Sequence, residues 1–223
     1  MNSPKDLARN LYKIACRQDR YFTHQQAKQL GYSQQSQSYH VRNGNWERKW
    51  RGIYRLNNYP CSDYPDLIIL YLWTCNRQGI PQGVISHDMA LYLYGLGSWT
   101  QQKNTITVPP GFRRIANPPG GWNSIVLHHA ILSPVDIQIL HRVPFTTPLK
   151  TIIDLLVAKN MPTHHLREAM TKALDQHLIT HKQMAESKLS MHERSLLVNQ
   201  LSEINYEGAI EEIRHPRKLQ LCT

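Results

Sequence analysis

The sequence has little of what marks exported or membrane-embedded proteins. Its 223 residues include four cysteines that lie far apart, without CxxC pairs or the spacing of a disulfide framework. The most apolar run, residues 67–73, is much shorter than the roughly 18 residues that a membrane-spanning helix requires. The opening sequence, MNSPKDLARN, lacks the apolar core of a signal peptide. We therefore expect a cytoplasmic protein with reduced thiols and no membrane partner.

Acidic residues are scarce in the first quarter of the chain. Residues 1–56 contain 11 Lys and Arg against 3 acids, whereas residues 57–223 contain 15 against 13. Most of the net charge of +10 therefore belongs to a small N-terminal segment. Neutralisation of phosphates with release of counterions drives nucleic-acid binding, so this distribution is typical of a nucleic-acid-binding domain. A solvated basic surface without a partner is the alternative.

Capping residues predict three short helices at the start of the chain. Ser3 is placed to cap the first and Ser33 the third, and Thr23 begins a threonine-x-x-glutamine capping box for the second. Gly31 and Gly44 suit the left-handed conformation that follows a helix C-terminus. They are therefore expected to end the second and third helices.

The third predicted helix, residues 34–43, is rich in amides and hydroxyls and poor in apolar side chains. Tyr39 and Val41 are expected to be its inward contacts. Amides pair bidentately with adenine edges and Arg42 suits guanine or phosphate, so this helix is expected to enter a major groove of DNA. The alternative is an exposed polar helix without a binding role.

Residues 46–56, WERKWRGIYRL, alternate cations with aromatic and strand-forming side chains. The arginine-glycine pair that ends at Gly52 resembles the turn of a hairpin. Four cations of this hairpin are expected to face phosphate: Arg48, Lys49, Arg51 and Arg55. Capped helices followed by a basic hairpin predict a winged helix-turn-helix DNA-binding domain over residues 1–58.

The remainder of the chain is predicted to hold two further parts. Residues 57–65, NNYPCSDYP, lack hydrophobic periodicity and are interpreted as a linker. Helical and short strand patterns interleave over residues 66–160, which indicates a mixed α+β domain. Residues 161–223 have helical periodicity and are interpreted as a helical C-terminal extension. The predicted fold class of the whole chain is α+β.

Four short motifs occur in a fixed order along the chain. They are G-x-W-x-x-x-x-R-G-I-Y-R-L at residues 44–56, I-S-H-x-x-A-L-x-L-x-G-L at 85–96, T-V-P at 107–109 and P-F-T-T-P-x-K-T-I-I-D-L at 144–155. In this order they resemble the AbiEi antitoxin family, and the resemblance covers about residues 20–158.

The resemblance implies an antitoxin whose winged helix-turn-helix represses its own operon by binding inverted repeats in promoter DNA. Its second domain, residues 66–160, would counter a cognate nucleotidyltransferase toxin, either directly or through the toxin's target. By position, the resemblance assigns DNA contacts to Gln34, Gln35, Gln37, Ser38, His40, Arg42, Lys49 and Arg51. Family members usually have arginine where this chain has Lys150, and lysine keeps the charge without the bidentate geometry.

Catalytic patterns are weak in this sequence. Asp175, Glu186 and Lys188 imitate the acid and acid-x-lysine pattern of metal-dependent nucleases, but their region has helical periodicity, whereas such acids lie on a sheet. Residues 96–98 resemble the start of a nucleotidyltransferase signature, but the required pair of aspartates does not follow. We therefore expect no catalytic residue, metal or cofactor. A metal-dependent nuclease and a regulator without a toxin partner remain alternatives.

Two patterns that contain histidine are interpreted as structural. Ser86 is expected to cap a helix and His87 to be a hydrogen-bonded structural histidine, because no acid or nucleophile lies nearby in sequence. The histidine pairs at 128–129 and 164–165 lack further spaced ligands and are poor zinc sites.

Overall fold

The protein has a mixed α+β architecture with two sheets, which confirms the predicted class. The computed structural model describes residues 3–59, 63–97, 104–113, 125–206 and 210–214. It contains two compact units, one made of Met1–Ile85 and Ile106–Phe145, the other of Ser86–Thr105 and Thr146–Thr223. None of the helices within the described residues is long and apolar enough to span a membrane.

The N-terminal segment of the first unit combines helices with a three-stranded sheet. Its elements are, in chain order, α1 (Pro4–Arg17), β1 (Tyr21–Thr23), α2 (His24–Leu30), α3 (Gln34–Arg42), β2 (Trp46–Trp50) and β3 (Ile53–Leu56). β3 lies between β1 and β2 and pairs antiparallel with both. This arrangement places α3 directly before the β2–β3 hairpin.

Local sequence sets the ends of these helices. Ser3 and Thr23 both complete capping boxes, and the Ser33 hydroxyl accepts a hydrogen bond from the third N–H group of α3. Gly31 follows α2 with φ of 110°, and Gly44 follows α3 with φ of 72°. Residues with a Cβ atom adopt such left-handed conformations at a cost, whereas glycine does not. The predicted starts and ends of these helices are confirmed.

An aromatic core holds the N-terminal elements together. Its buried residues are Leu11, Ala15, Phe22, Ala27, Tyr32 and Trp46. The Trp46 ring packs edge-on against Phe22, at 4.8 Å between centroids, and against Tyr32, at 5.1 Å. Such edge-to-face pairs each contribute about 0.5–1.5 kcal/mol beyond the burial of their area. Because Trp46 begins β2, the same cluster fixes the helices and the hairpin.

The first unit also contains a buried helix and most of a five-stranded sheet. These elements are α4 (Pro65–Trp73), β4 (Val84–Ile85), β5 (Asn104–Val108), β6 (Ile125–His129), a 3₁₀ helix (Pro134–Asp136), β7 (Ile137–Leu140) and β8 (Val143–Thr146). The strand order is β6-β5-β4-β8-β7, with β4 antiparallel to β5 and parallel to β8. The short strands predicted among residues 66–160 are confirmed.

A tight turn joins β7 to β8. Its two residues both have left-handed backbones, with φ of 48° at His141 and 63° at Arg142. Positive φ at both central positions is typical of a type I′ turn, whose twist matches that of the strands it joins. β7 is thereby held at the edge of the sheet with β8 on its inner side.

The second unit is mostly helical. Its helices are α5 (His87–Leu93), α6 (Pro148–Ala158), α7 (Thr163–Asp175), α8 (His181–Glu186), α9 (Met191–Glu203) and α10 (Ile210–Arg214). All of them contribute to one buried core, which includes Leu91 from α5, Ile152 from α6 and Leu201 from α9. Residues on both sides of position 160 therefore share the same core.

A residue distant in sequence caps the N-terminus of α5. Ser86 occupies the cap position, but its side chain makes no capping hydrogen bond. The Thr105 hydroxyl instead accepts a hydrogen bond from Met89 N–H at 3.0 Å and donates one to Ser86 O. The prediction that the Ser86 side chain caps this helix is wrong. His87 is buried with its Nδ1 atom 3.0 Å from Ser86 Oγ, so it is hydrogen-bonded as expected, and its structural role stays a prediction.

The compact units divide the chain differently from the three segments expected from the sequence. Compact units describe how the chain packs, whereas the predicted boundaries at residues 58, 66 and 160 separate domains that fold independently. These boundaries therefore stay a prediction.

Cys16 and Cys75 are free thiols, as expected. Some predicted features lie outside the described residues: positions 60–62 of the linker, position 98 of the motif at residues 96–98, and two of the four cysteines, Cys61 and Cys222.

Candidate nucleic-acid interface

One buried amide holds α3 against the N-terminal core. Gln37 is 2% exposed. Its Oε1 atom lies 2.8 Å from His24 Nδ1, and its Nε2 atom donates to Tyr32 O at 3.2 Å. The sequence predicts a DNA contact for Gln37, but the burial of its side chain contradicts that role. Gln37 instead connects the middle of α3 to the start of α2 and to the turn between the two helices.

The outward side of α3 presents hydrogen-bonding groups. Gln34, Gln35, Ser38 and Arg42 are all exposed. With 3.6 residues per turn, these positions fall within an arc of about 100°. The Ser38 hydroxyl donates to Gln34 O at 2.9 Å, and Gln34 and Gln35 expose their amide side chains in the first turn. Amide, hydroxyl and guanidinium groups on one helix side are those that contact base edges and phosphates.

Tyr39 and His40 have the opposite environments from those predicted. Tyr39, expected to face inward, is exposed. His40, expected to contact DNA, is half-buried and stacks on Trp46, with ring centroids 4.7 Å apart and an interplanar angle of 15°. Burial lowers the pKa of His40, so its ring is neutral at pH 7. His40 therefore supports the last turn of α3 on the aromatic core.

The β2–β3 hairpin presents its cations around a tight turn. Arg51 and Gly52 form this turn, as predicted, with φ of 75° at Gly52. Arg48 and Arg51 are exposed, whereas Lys49 is half-buried, with its Nζ atom 2.6 Å from Glu47 Oε1. The register of the two strands shifts between Arg48 and Trp50. Such a bulge increases the local twist and redirects the neighbouring side chains.

Arg55 differs from the other cations of the hairpin. It is buried, its Nε atom lies 3.7 Å from Glu47 Oε2, and its Nη2 atom donates to Tyr59 O at 3.4 Å. Ile53 and Arg55 are alternate residues of β3 and both face inward. The prediction that Arg55 points towards phosphate is therefore wrong.

Arg48 is exposed, as expected of a cation that faces phosphate, although the DNA contacts assigned from the family resemblance omit it. It lies opposite Tyr54 on β3, beside the bulge. Strand alternation does not reveal its exposure, because Trp46, two residues earlier, is buried. The only signal in the sequence is the concentration of cations around the turn.

The residues considered for a nuclease lie on or next to helices of the second unit. Asp175 ends α7 and Glu186 ends α8, and both side chains are exposed. Glu186 lies 3.9 Å from Lys182, one turn earlier on the same helix, and Lys188 is exposed. Within the described part of the chain, no three or more His, Cys, Asp or Glu side chains are grouped so that they could hold a metal.

Lys150 joins two helices of the second unit. Its Nζ atom lies 2.7 Å from Asp154 Oδ1 on α6 and 3.7 Å from Glu193 Oε1 on α9. Burial alone would raise the pKa of Glu193, but hydrogen bonds with Ser190 and the charge of Lys150 together outweigh it and lower the pKa. A lysine can bridge the two carboxylates as a point charge, without bidentate geometry.

Comparisons with known proteins bear on the fold. No protein-family model and no curated protein matches the chain. The structure is similar to the crystal structure of the RV2827C protein from Mycobacterium tuberculosis, with a TM-score of 0.50 and 14% sequence identity. This match covers 96% of this chain and 80% of the other. At that identity, the similarity concerns the fold alone.

Proposed function

We propose that the protein is a cytoplasmic DNA-binding repressor and antitoxin with a winged helix-turn-helix in residues 1–58. In this proposal α3 is the recognition helix and the β2–β3 hairpin is the wing. The observation that carries the proposal is the arc of exposed polar side chains on α3, followed directly by a basic hairpin. Double-stranded DNA matches both features, because phosphates attract the cations while base edges pair with the amides.

The proposed contacts divide by their chemistry. Gln34 and Gln35 pair with base edges and select the sequence, and the Ser38 hydroxyl, whose proton is donated to Gln34 O, adds an acceptor. The cations bind phosphate and fix the position of the protein on the duplex: Arg42, Arg48, Lys49 and Arg51. Gln37 and His40 act indirectly, because they hold α3 in place.

Titration of labelled promoter DNA, followed by fluorescence anisotropy, tests the DNA-binding part. We expect Arg51→Ala to weaken binding to all sequences alike and to lower the slope of log affinity against log salt by about 1. We expect Gln35→Ala to keep that slope and to lose about 1–3 kcal/mol of preference for the operator over scrambled DNA.

Arg113→Ala is the matched control for the arginine variant, because Arg113 is exposed and lies outside the hairpin. It is expected to bind like the wild type. Failure of the wild-type protein to bind its own promoter at about 50 mM salt, where phosphate contacts are strong, would contradict the proposal.

The antitoxin part is supported by the four ordered motifs that resemble the AbiEi family. Its expected partner is a nucleotidyltransferase toxin, countered by direct contact or through the toxin's target. Co-expression with the product of the neighbouring gene is expected to relieve growth arrest. Arg51→Ala should relieve it equally well when both genes have foreign promoters, because the altered residue belongs to the DNA-binding part. Persistent arrest in the presence of soluble protein would leave a regulator without a toxin partner.

A further inference from the structure

Helix α1 carries a stripe of cations that lies outside the proposed DNA contacts. Lys5, Arg9, Lys13 and Arg17 recur at every fourth position and are all exposed. Within the described part of the chain, no hydrogen bond or ion pair is found for their side chains. Because four residues of helix complete slightly more than one turn, these positions lie within an arc of about 120°. They therefore form a continuous positive surface along α1.

The acid on the same helix does not neutralise this surface. Asp6 accepts hydrogen bonds from Ser3 N–H at 3.3 Å and from the Ser3 hydroxyl at 2.8 Å, so it belongs to the cap of α1. The other four charged residues of α1 are the cations of the stripe. A surface with this charge attracts polyanions.

A groove opens beside the stripe. Its volume is about 450 Å³, and Arg9 and Tyr12 contribute to it from α1. Its other lining residues include Asn45 before β2 and Asn57 and Tyr59 after β3. Small-molecule sites commonly have volumes of about 300–1,000 Å³, so this groove has room for a nucleobase. A positive surface and a space of base size are thus adjacent, and Arg9 belongs to both.

Two tyrosine rings at the groove are held by a shared cation. The Tyr12 ring is 38% exposed, and its centroid lies 5.5 Å from that of Tyr59. The Arg20 guanidinium lies 5.1 Å from the Tyr12 centroid and 4.7 Å from the Tyr59 centroid. Contacts between a cation and an aromatic ring are attractive, so they fix the rings in place. The exposed part of Tyr12 is therefore a fixed surface on which a planar base can stack.

The amides of the groove favour ribose over deoxyribose. Asn45 Nδ2 lies 3.3 Å from His40 Nδ1, and Asn57 Nδ2 donates to Gly44 O at 2.9 Å. No partner is found among the described residues for either amide oxygen. An amide oxygen accepts a hydrogen bond from the 2′-hydroxyl group, which RNA has and DNA lacks.

We propose that α1 and the adjacent groove bind single-stranded RNA. The cations of the stripe follow successive phosphates, and a base stacks on Tyr12 within the groove. The amide oxygens accept hydrogen bonds from ribose. Proteins that bind single strands combine a positive surface along the backbone with aromatic side chains under the bases. A duplex does not fit this arrangement, because its bases are already paired and stacked.

The spacing along α1 suits an extended strand. Four residues of helix rise by about 6 Å, which is close to the separation of successive phosphates in a nucleic-acid strand. None of the residues in this arrangement is a proposed DNA contact. The inference therefore goes beyond the proposed function and does not depend on it.

Fluorescence anisotropy with a labelled oligouridylate of about 12 nucleotides, a length within known single-strand site sizes, tests the inference on the full-length protein. We expect binding with a slope of log affinity against log salt of about −3, because each neutralised phosphate of a single strand contributes about 0.7. The double variant Arg9→Ala, Lys13→Ala is expected to flatten this slope by about 1.4 and to weaken binding at about 50 mM salt by tenfold or more.

The matched control is the double variant Lys182→Ala, Lys188→Ala, which removes the same charge from exposed positions of the second unit. It is expected to bind the oligouridylate like the wild type. Equal weakening by both double variants would show that net charge alone attracts RNA, and would overturn the assignment to α1. A wild-type protein that does not bind the oligouridylate at about 50 mM salt would overturn it as well.

A second variant tests the stacking surface separately from charge. Tyr12→Leu is expected to lower affinity for the oligouridylate by about tenfold without changing the salt slope, because it removes a ring and no phosphate contact. Tyr92→Leu is the control, since Tyr92 is 44% exposed on α5 of the second unit. Thermal melting checks that both variants fold. Unchanged affinity in a folded Tyr12→Leu variant would remove the base from the groove.

The same oligonucleotide with deoxyribose in place of ribose tests the choice of RNA. It keeps the bases and the phosphates and lacks only the 2′-hydroxyl groups. We expect it to bind about tenfold more weakly than the oligouridylate. Equal affinity for the two would overturn the preference for RNA.

Binding of duplex promoter DNA separates this inference from the proposed function. The double variant Arg9→Ala, Lys13→Ala is expected to bind promoter DNA like the wild type, because α1 lies outside the proposed DNA contacts. An equal loss of affinity for promoter DNA and for RNA would make α1 part of the duplex interface and overturn the inference. A wild-type protein that binds the oligouridylate but not its promoter would contradict the proposed function alone.

Discussion

Gln37 fixes how α3 is rotated about its own axis. Its amide connects α3 to His24 on α2 and to Tyr32 in the turn between the helices. Once this position faces inward, helical geometry directs Gln34, Gln35 and Ser38 to the outside. A buried side chain therefore decides which side chains of α3 are exposed.

We predict that Gln37→Leu lowers the free energy of unfolding by about 1–3 kcal/mol, because it leaves buried groups of His24 and Tyr32 without their partner. Urea unfolding measures the loss. Gln34→Leu, at an exposed position of the same helix, is the control and is expected to change stability little. An unchanged midpoint for Gln37→Leu would mean that water satisfies those groups equally well.

Thr105 has a similar role in the second unit. We predict that Thr105→Val, which keeps the shape of the side chain, destabilises the protein by about 1–2 kcal/mol, since it removes the cap of α5. Thermal unfolding of this variant can be compared with Thr163→Val, whose exposed threonine begins α7 and makes no capping bond. Equal melting temperatures for the two variants would rule out the capping role.

At the scale of elements, the charge of Glu193 supports the start of α9 through Ser190 and the contact between α9 and α6 through Lys150. Its pKa is lowered in the folded protein, so folding favours the ionised form. The stability that this provides is fully present above the ordinary glutamate pKa of about 4.3 and is lost as the pH falls through the lower folded value.

We predict that Glu193→Gln reduces the loss of stability between neutral and acidic pH. Urea unfolding followed by circular dichroism from pH 7 to pH 3.5 measures it. Glu186→Gln is the control, because Glu186 is an exposed helical acid for which only a long contact of 3.9 Å with lysine is found. If Glu193→Gln and the wild type lose stability in parallel, the ionised form of Glu193 does not stabilise the fold through Ser190 or through Lys150.

Elements were predictable from the sequence where their determinants are local. Ser3, Thr23 and Ser33 act within three residues of the chain, so the helix starts followed from spacing alone. Thr105 caps α5 by accepting a hydrogen bond from Met89 N–H, 16 residues away in sequence, and no local pattern reveals such a contact. Gln34 and Gln37 have identical chemistry, and only the packing of α2 against α3 separates the exposed amide from the buried one. Three side chains that were expected to contact DNA are wholly or partly buried, namely Gln37, His40 and Arg55, and the position of the site itself stays a prediction.

At the scale of the whole molecule, residues beyond position 160 belong to the core of the second unit. Leu166, Met170 and Leu197 are buried together with Leu91 and Ile152. Helical periodicity predicted the helices in this part of the chain, but it carries no information about which other segments they pack against. For this reason, the sequence supported no more than the interpretation of residues 161–223 as a helical extension.

We predict that truncation after residue 160 makes the protein aggregate, because it exposes apolar side chains that the missing helices cover. Solubility and gel filtration measure this effect. Met170→Ala provides a milder change, with an expected loss of about 2–5 kcal/mol for removal of a fully buried side chain. A truncated protein that is soluble and unfolds cooperatively would show that residues 161–223 are dispensable for folding.

The core around Trp46 is drawn from one continuous stretch of chain, whereas the second unit is drawn from two. A chimera that acquires a different N-terminal segment therefore needs a single junction near residue 58. Transplanting the second unit needs three junctions, at 85/86, 105/106 and 145/146, and each falls in or beside a strand of the five-stranded sheet. Gene fusion can thus exchange the N-terminal segment far more readily than it can exchange the second unit.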